Sequence, residues 1–401
     1  MDRFIEELRD RKTLDDNGFR ALLESGDATL REQLRAAAQE VADARFGKRV
    51  WLRALIEWSN VCRNDCLYCG IRRSNRKVRR YTLSREEILS ACERAWRCGL
   101  RTFVLQGGEN PAGGEILAGI VEEIRASWPE AAITLSVGEL PPELYRVLRR
   151  SGADRYLLRH ESANPAHYAR LHPAGMSLQR RLDCLRELRS LGFQVGMGMM
   201  VGSPFQTLDD LVADLRLMEA FRPDMIGLGP FIPHPNTPLA RELPSFGVPS
   251  RLPSPAALPS ESPSLTQAPA SQPVQSDAPS RSADLTLRLY SILRLMRPEV
   301  MMPSTTALST LLPGGRMAGI LAGANVLMPN FTPGRFREQY ALYQGKSAAD
   351  GEEILAAIRA ELASVGYADS PTRGDALPQP AGGTLSSDSF PSASWGGGQN
   401  H

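Results

Sequence analysis

From Trp51 onward one unit recurs eight times, a short apolar or β-branched run followed by a longer amphipathic stretch. The first four runs are Ala54-Leu55-Ile56-Glu57, Thr102-Phe103-Val104-Leu105-Gln106, Ile133-Thr134-Leu135-Ser136 and Arg155-Tyr156-Leu157-Leu158-Arg159. Val195-Gly196-Met197-Gly198-Met199, Met225-Ile226-Gly227-Leu228-Gly229, Val300-Met301-Met302-Pro303 and Ala324-Asn325-Val326-Leu327-Met328 complete the series. Runs this short, separated by stretches with apolar residues at helical spacing, read as strands alternating with helices. Ser84 stands three residues before Glu87, a capping box opening the helix from Arg85 to Trp96. Gly99, Gly152 and Gly192 each fall just past a helical pattern, where a left-handed cap is expected. Eight alternations predict an α/β fold, a (β/α)8 barrel of the TIM type, with a doubly wound open sheet as the alternative.

Four segments flank or interrupt this rhythm. Residues 1–48 carry Leu30, Leu34, Ala37 and Val41 at helical spacing and read as an N-terminal helical cap. The barrel is expected over 49–346, broken at about 243–282 by a stretch of Pro, Ser, Ala and Gln. Such a composition buries too little apolar surface to offset its ordering entropy, so this insertion is expected to be disordered. It follows the sixth strand and precedes a helix starting near Asp284, which hangs it from the catalytic face. Residues 347–368 read as a C-terminal helix and 369–401, rich in Gly, Ser and Pro, as a disordered tail.

With 401 residues and 42% hydrophobic content, the chain can bury one large core or two ordinary ones. A formal net charge of +2 gives no broad basic field, so nucleic acid is not an expected partner. The N-terminus is charged and amphipathic, and no segment holds the roughly 18 uninterrupted apolar residues of a membrane span. A soluble, cytoplasmic protein away from membranes is expected, in a compartment that keeps thiols reduced.

In a barrel of this kind the chemistry collects at the C-terminal ends of the strands. After the first comes Ser59-Asn60-Val61-Cys62-Arg63-Asn64-Asp65-Cys66-Leu67-Tyr68-Cys69-Gly70. Three thiolates at C-x3-C-x2-C spacing, Cys62, Cys66 and Cys69, suit three corners of an iron-sulfur cube and leave the fourth iron open. Structural zinc is the competing reading, but it normally takes four protein ligands, and no second C-x2-C or H-x3-H pair follows. Cys92, Cys98 and Cys184 lie in amphipathic helical stretches and read as small core residues. Tyr68, just before the last cysteine, can lie against a cofactor.

The second strand is followed by Gln106-Gly107-Gly108-Glu109, where paired glycines let backbone approach a ligand and a carboxylate can receive an ammonium group. An ordinary surface turn is the bland alternative. Ser136-Val137-Gly138-Glu139 follows the third strand, His160-Glu161 the fourth and Met200-Val201-Gly202-Ser203-Pro204 the fifth. Gly229-Pro230-Phe231-Ile232-Pro233-His234-Pro235, Ser304-Thr305-Thr306 and Pro329-Asn330 follow the last three. Alternation along the fourth strand puts Arg155, Leu157, Arg159 and Glu161 on one face. Two inward guanidiniums need counter-charges, from an anionic ligand, from Glu57 or Glu139, or from both. His160 then faces away and reads as a structural histidine. His234, between two prolines, is placed to touch substrate but has no assigned role, and Met197, Met199 and Met200 read as packing.

Several long strings resemble the radical S-adenosylmethionine enzymes, and most closely their HydE family of [FeFe]-hydrogenase maturases, in the branch that also holds biotin synthase and methylornithine synthase. They are Ser59-Asn60-Val61-Cys62 through Arg73, Val104-Leu105-Gln106, Ala153 through Glu161, Gly229 through Pro235 and Pro313-Gly314-Gly315-Arg316. The resemblance spans roughly Leu55 to Lys346 apart from the Pro/Ser insertion. It implies one [4Fe-4S] cluster on Cys62, Cys66 and Cys69, with the fourth iron chelated by the methionyl amine and carboxylate of S-adenosylmethionine. Tyr68, Gln106, Gly107, Gly108 and Glu109 match cofactor positions, the glycine-glycine-glutamate motif lying near the amino group. Ser136, Glu161 and Arg181 match further contacts, with Glu161 suited to ribose hydroxyls and Arg181 to the carboxylate, and Gly202 matches the segment near adenine.

The resemblance further implies an iron, carbonyl, cyanide and cysteine substrate delivered by the maturase HydG, on the way to a diiron subcluster assembled on HydF. Arg155, Arg159, Thr305 and Thr306 would hold its anionic parts, and ferredoxin or flavodoxin would donate the electron. Some relatives carry extra cysteines after the position of Lys346 for an accessory cluster; this chain has Ser347-Ala348-Ala349-Asp350-Gly351 there, so no accessory cluster is expected. A radical mutase or synthase of an amino-acid-like substrate is the nearest alternative, and a non-catalytic iron-sulfur or zinc protein the alternative from another class.

Overall fold

A computed structural model describes residues 2–242, 278–346 and 349–376. In chain order the strands are β1 (Arg49–Leu52), β2 (Ala54–Ser59), β3 (Thr102–Gly107), β4 (Ala132–Ser136), β5 (Arg155–Leu157), β6 (Gln194–Met197), β7 (Met200–Val201), β8 (Met225–Ile226), β9 (Gly229–Pro230), β10 (Val326–Leu327) and β11 (Ala368–Asp369). The first helices are α1 (Arg3–Arg11), α2 (Asp16–Glu24) and α3 (Ala28–Phe46). Then come α4 (Arg85–Arg97), α5 (Gly114–Ser127), α6 (Pro142–Arg150), α7 (Pro165–Leu171), α8 (Leu178–Ser190) and α9 (Leu208–Phe221). The remainder are α10 (Pro238–Glu242), α11 (Ala278–Met296), α12 (Thr306–Leu311), α13 (Gly315–Leu321), α14 (Gly334–Arg337) and α15 (Gly351–Ser364).

Six strands pair in parallel in the order β2-β3-β4-β5-β6-β8. Parallel bridges carry the ring onward from Met225 to Met301, from Pro303 to Val326 and from Asn330 back to Leu55. Residues 300–303 thus take the seventh position and β10 the eighth, closing the (β/α)8 barrel that the alternation predicts. Outward positions such as Ile56, Trp58, Phe103, Leu105, Ile133 and Val195 join one continuous core with Ile88 of α4, Val121 of α5, Leu185 of α8 and Leu215 of α9. Alternate positions face the lumen and are far more polar, as with Glu57, Gln106 and Arg159. Glycine is required where the chain leaving β6 passes the loop after β8, because a Cβ on Gly198 would sit 1.8 Å from the Gly227 carbonyl oxygen.

The expected boundary marks are present. Ser84 and Glu87 form a reciprocal capping box at the start of α4, and Gly99, Gly152 and Gly192 adopt φ of 89°, 110° and 78°. The N-terminal cap is three helices, and α3 packs along α11 with Leu34, Ala37 and Ala38 buried. Helix α11 begins at Ala278, earlier than expected, so the last residues assigned to the insertion are helical. The rest of that stretch, 243–277, lies outside the described residues, as does 377–401.

Two expectations are corrected at the barrel floor. The tail is not disordered from residue 369: β11 pairs with β1, and residues 370–376 run on beneath the barrel. Trp51 Nε1 donates to Thr372 Oγ1 (2.9 Å), Arg53 to the Gly374 carbonyl (3.1 Å) and Thr102 Oγ1 to the Arg373 carbonyl (2.7 Å). Composition hid this because the segment is held by polar contacts rather than by an apolar face. Arg155 does point inward, but from the N-terminal end of β5, on the floor rather than at the mouth. Its fully buried guanidinium donates to Asp375 (2.7 Å), the Arg373 carbonyl (2.9 Å) and Gln194 (3.1 Å). The alternation was read correctly and the level was not.

Candidate active site

The cysteine loop leaves β2 at the mouth and is tied down on every side. Asn60 Nδ2 donates to the carbonyls of Arg79 and Gln339, both at 2.9 Å. Arg80 reaches the carbonyls of Asn60 (2.7 Å), Ile71 (2.7 Å) and Arg72 (2.6 Å). Gly70 sits under the chain at Ala341, where an added Cβ would lie 2.0 Å from that carbonyl oxygen and 2.6 Å from His234. His234 therefore packs behind the cysteine loop, and Gly70 is a site residue the sequence reading passed over. Its only signal was its position after the last cysteine.

Cys62, Cys66 and Cys69 are unpaired and half-buried. Burial raises all three thiols, Cys69 to about 12, and the neighbouring thiols raise Cys66 further. Metal binding replaces the proton on each. Among the described residues no group of three His, Cys, Asp or Glu converges tightly enough for a single ion. Structural zinc takes four protein ligands, whereas three thiols on one short loop suit a cube held at three corners with its fourth iron open.

Gly107 and Gly108 are where two strand-end loops touch. A Cβ on Gly108 would lie 2.4 Å from the Val61 carbonyl oxygen and 2.8 Å from Cys62 Cβ, and one on Gly107 2.4 Å from the Trp58 ring. Gly108→Ala is expected to displace the cysteine loop and lower iron content after reconstitution, read by iron analysis against an unchanged circular dichroism spectrum. One Glu109 oxygen accepts from Arg63 Nε and the other from the Glu139 N–H, both at 2.7 Å, so the carboxylate binds three loops together and keeps further lone pairs on both oxygens.

Glu57, Gln106 and Ser136 stand side by side in register at one level of the lumen. Gln106 lies beside the Tyr340 hydroxyl. On the next strand Glu161 adopts a left-handed φ of 67° and bridges to Met199, turning its carboxylate into the mouth. Its Oε2 lies 2.9 Å from Arg159 Nη2 yet makes no hydrogen bond. Arg159 donates to the Met199 carbonyl (2.9 Å), and its Nε is also without a partner, as are the hydroxyls of Thr134, Ser304 and Thr305. The Ser304 hydroxyl faces Gly319 of α13 rather than the lumen, but Arg159 Nε and the Thr134 and Thr305 hydroxyls fit a polar ligand there, since a buried hydrogen bond is costly when left unmade. Arg181 donates to Glu139 (2.6 Å) and to the Arg159 carbonyl (2.6 Å). Burial disfavours its charge, but Tyr168 and Glu139 hold it protonated.

The remaining expected residues divide. Tyr68 meets His172 edge-on (5.6 Å) within a small apolar cluster around Leu171, Met200 and Phe231. Burial brings His172 down to about 4, so it stays neutral. Gly202 has φ of 71° and lies against Ser282 at the start of α11. Thr305 N donates to Tyr290, whereas Thr306 is exposed and shares a hydrogen bond with Tyr343 (2.8 Å). His160 is structural, buried against Asp214 at 3.0 Å.

A further group was missed. Lys346 reaches from the loop after the eighth strand to pair with Glu57, which also accepts from Asn330 (3.0 Å); the Lys346 and Glu57 side chains are almost wholly buried at the upper lumen. The only trace in the sequence is a carboxylate closing an apolar strand. Beside it lies a cavity of about 580 Å³, lined among others by Thr306, Thr310, Arg316, Asn330, Lys346 and Ile358; the cysteine loop, Arg159 and Glu161 do not line it.

Residues 56–218 match the family model described as "Radical SAM superfamily". The chain is 40% identical over 347 residues to the [FeFe] hydrogenase maturase subunit HydE of Thermotoga maritima, covering 86% of this chain and 88% of that relative. It is 30% identical over 243 residues to 3-methylornithine synthase of Methanosarcina acetivorans, covering 60% and 69%. Among solved structures, methylornithine synthase (PylB) superposes with a TM-score of 0.72 at 24% identity, over 92% of this chain and 97% of that one. The maturase HydG does so with 0.70 at 20% identity, over 92% and 75%. With three thiolates on the first strand-end loop of a closed barrel, the chain is a radical S-adenosylmethionine enzyme and belongs to the HydE family of that superfamily.

Proposed function

We propose that the chain acts in the maturation of an [FeFe]-hydrogenase, as a cytoplasmic enzyme working beside HydG and HydF. The substrate in this reading is an iron-carbonyl-cyanide-cysteine precursor of the diiron subcluster. The likeness at 40% identity along 86% of the chain to a protein named as that maturase carries the reading. Cys62, Cys66 and Cys69 would hold three irons of a [4Fe-4S] cluster. The bound cluster and S-adenosylmethionine together yield a 5′-deoxyadenosyl radical on one-electron reduction.

The protein's part is to bind, orient and exclude water. Glu161, ion-paired with Arg159 but with no hydrogen bond to Oε2, offers that oxygen to ribose hydroxyls, and Arg181, fixed by Glu139, offers its positive charge to a carboxylate. Ser136 and the backbone around Gly107, Gly108 and Gly202 complete the proposed cofactor contacts. Arg159 and Thr305 bring polar atoms without hydrogen bonds to the lumen and are the proposed substrate contacts, with Thr306 next to Thr305 on the same strand-end loop. Arg155 is removed from this set by its place on the floor.

Anaerobic reconstitution with iron and sulfide, followed by dithionite and S-adenosylmethionine, tests the reaction through 5′-deoxyadenosine. Adding HydG, HydF and apo-hydrogenase tests the substrate through hydrogen evolution. Product without hydrogenase activation would keep the radical enzyme and discard the maturation role. A second reading, a mutase or synthase of an amino-acid-like substrate, is favoured by the 30% identity to a methylornithine synthase. It predicts that 5′-deoxyadenosine formation is stimulated by a free amino acid in the absence of HydG and HydF.

Glu161→Gln is expected to raise the KM for S-adenosylmethionine about tenfold to a hundredfold, the loss of a charged hydrogen bond of about 1.5–3 kcal/mol. An unchanged KM in the 5′-deoxyadenosine assay would remove Glu161 from the cofactor site.

A further inference from the structure

Between Cys66 and Arg85 the chain carries seven cations, Arg72, Arg73, Arg76, Lys77, Arg79, Arg80 and Arg85, and no carboxylate. Two of them have internal partners: Arg72 lies 3.2 Å from Asp65, and Arg80 is spent on backbone carbonyls. Four others face outward. Arg73 is 69% exposed and only loosely paired with Asp65 at 3.8 Å. Arg76, Lys77 and Arg79 are exposed and form no ion pair among the described residues. In a chain of net charge +2 such a concentration is local rather than part of a general basic field.

This strip is fastened to the cysteine loop. The Arg72 N–H donates to the Cys69 carbonyl (3.1 Å) and the Arg73 N–H to that of Asn64 (2.8 Å). Buried Asn75 reaches back to the Gly70 carbonyl (2.7 Å), and Asn60 Nδ2 holds the Arg79 carbonyl (2.9 Å). The outward cations therefore ride on the same rigid unit as the three thiolates.

We propose that Arg73, Arg76, Lys77 and Arg79 are the docking surface for an acidic one-electron carrier protein, which passes its electron to the cysteine-loop site they border. The proposal rests on the reading of that loop as a redox cluster site. One electron leaves the reduced carrier. It is consumed in breaking one carbon–sulfur bond of S-adenosylmethionine, which gives methionine and the 5′-deoxyadenosyl radical, so each cleavage calls for a fresh encounter. Opposed surface charge speeds such encounters and aligns the partners, and salt weakens it.

The test compares two electron sources in one 5′-deoxyadenosine assay, photoreduced flavodoxin and dithionite. The triple variant Arg76→Glu, Lys77→Glu, Arg79→Glu is expected to raise the KM for flavodoxin about tenfold or more, while iron content and the dithionite-driven rate stay as in the wild type. Wild-type flavodoxin turnover should fall as salt rises from about 0.05 to 0.5 M, with the variant nearly flat. The charge-conserving pair Arg76→Lys, Arg79→Lys should restore wild-type behaviour and guards against a folding artefact. Equal flavodoxin kinetics in wild type and triple variant would overturn the docking surface. So would charge reversal that abolishes RNA binding in a gel-shift assay while leaving those kinetics intact. Absence of dithionite-driven product in the wild type would instead overturn the cluster reading beneath it.

Discussion

Cys66→Ser protein, reconstituted and reduced, is expected to hold little iron and to form no 5′-deoxyadenosine above background. The three thiolates are the whole protein ligand set proposed for the cluster, and they sit on one loop whose backbone is already fixed by Asn60, Arg80 and Asn75. Removing one leaves no neighbouring thiol to substitute, because Cys92 and Cys184 are buried elsewhere and Cys98 lies at the end of α4. Cys98→Ser is the matched control and should retain both iron and product. If Cys66→Ser kept the wild-type absorbance and product yield, the cluster would have to lie elsewhere. Zinc in place of iron would show as a colourless protein whose metal content is unchanged by dithionite.

The second large effect separates two arginines that look alike in the sequence. Asp375→Ala leaves the Arg155 guanidinium buried with only neutral acceptors, and a buried charge stripped of its partner costs about 3 kcal/mol. The melting temperature should drop by roughly 5 °C. Arg155→Met removes the charge itself and leaves Asp375 partly exposed to water, so it should cost about 1 kcal/mol and preserve 5′-deoxyadenosine formation. Arg159→Met is the converse, with near-normal melting but loss of hydrogenase activation in the coupled assay. Should Arg155→Met lose activation at full stability, the floor assignment would fail.

The ring of strands was legible because periodicity reports which side of a strand meets apolar neighbours, and here all eight outer faces do. The cysteine loop, Gly107, Gly108 and Glu161 were legible because strand ends in such a barrel share one mouth. Depth was not. Alternation places Arg155 and Arg159 on the same inner face, but four residues of rise separate floor from mouth, and only the closing segment shows which is which. Nor was the tie that Glu109 makes between loops, since nothing near it in sequence announces Arg63 or the Glu139 N–H as its partners. Lys346 and the segment at 370–376 went unread because contacts made by single polar groups across hundreds of residues leave no local pattern.

The floor strap also bears on how the protein is made. Thr372 meets Trp51 across 321 residues, and Asp375 meets Arg155 across 220. A ribosome therefore exposes the iron-binding loop near residue 66 long before it has synthesised the segment that seals the barrel beneath it. The nascent chain spends most of translation as an unsealed, aggregation-prone curl of parallel strands with three reactive thiols at its rim. Early capture of those thiols by iron chemistry or by a chaperone would protect the half-built barrel, and nascent-chain stall lengths on either side of residue 376 are where that protection should cease to matter.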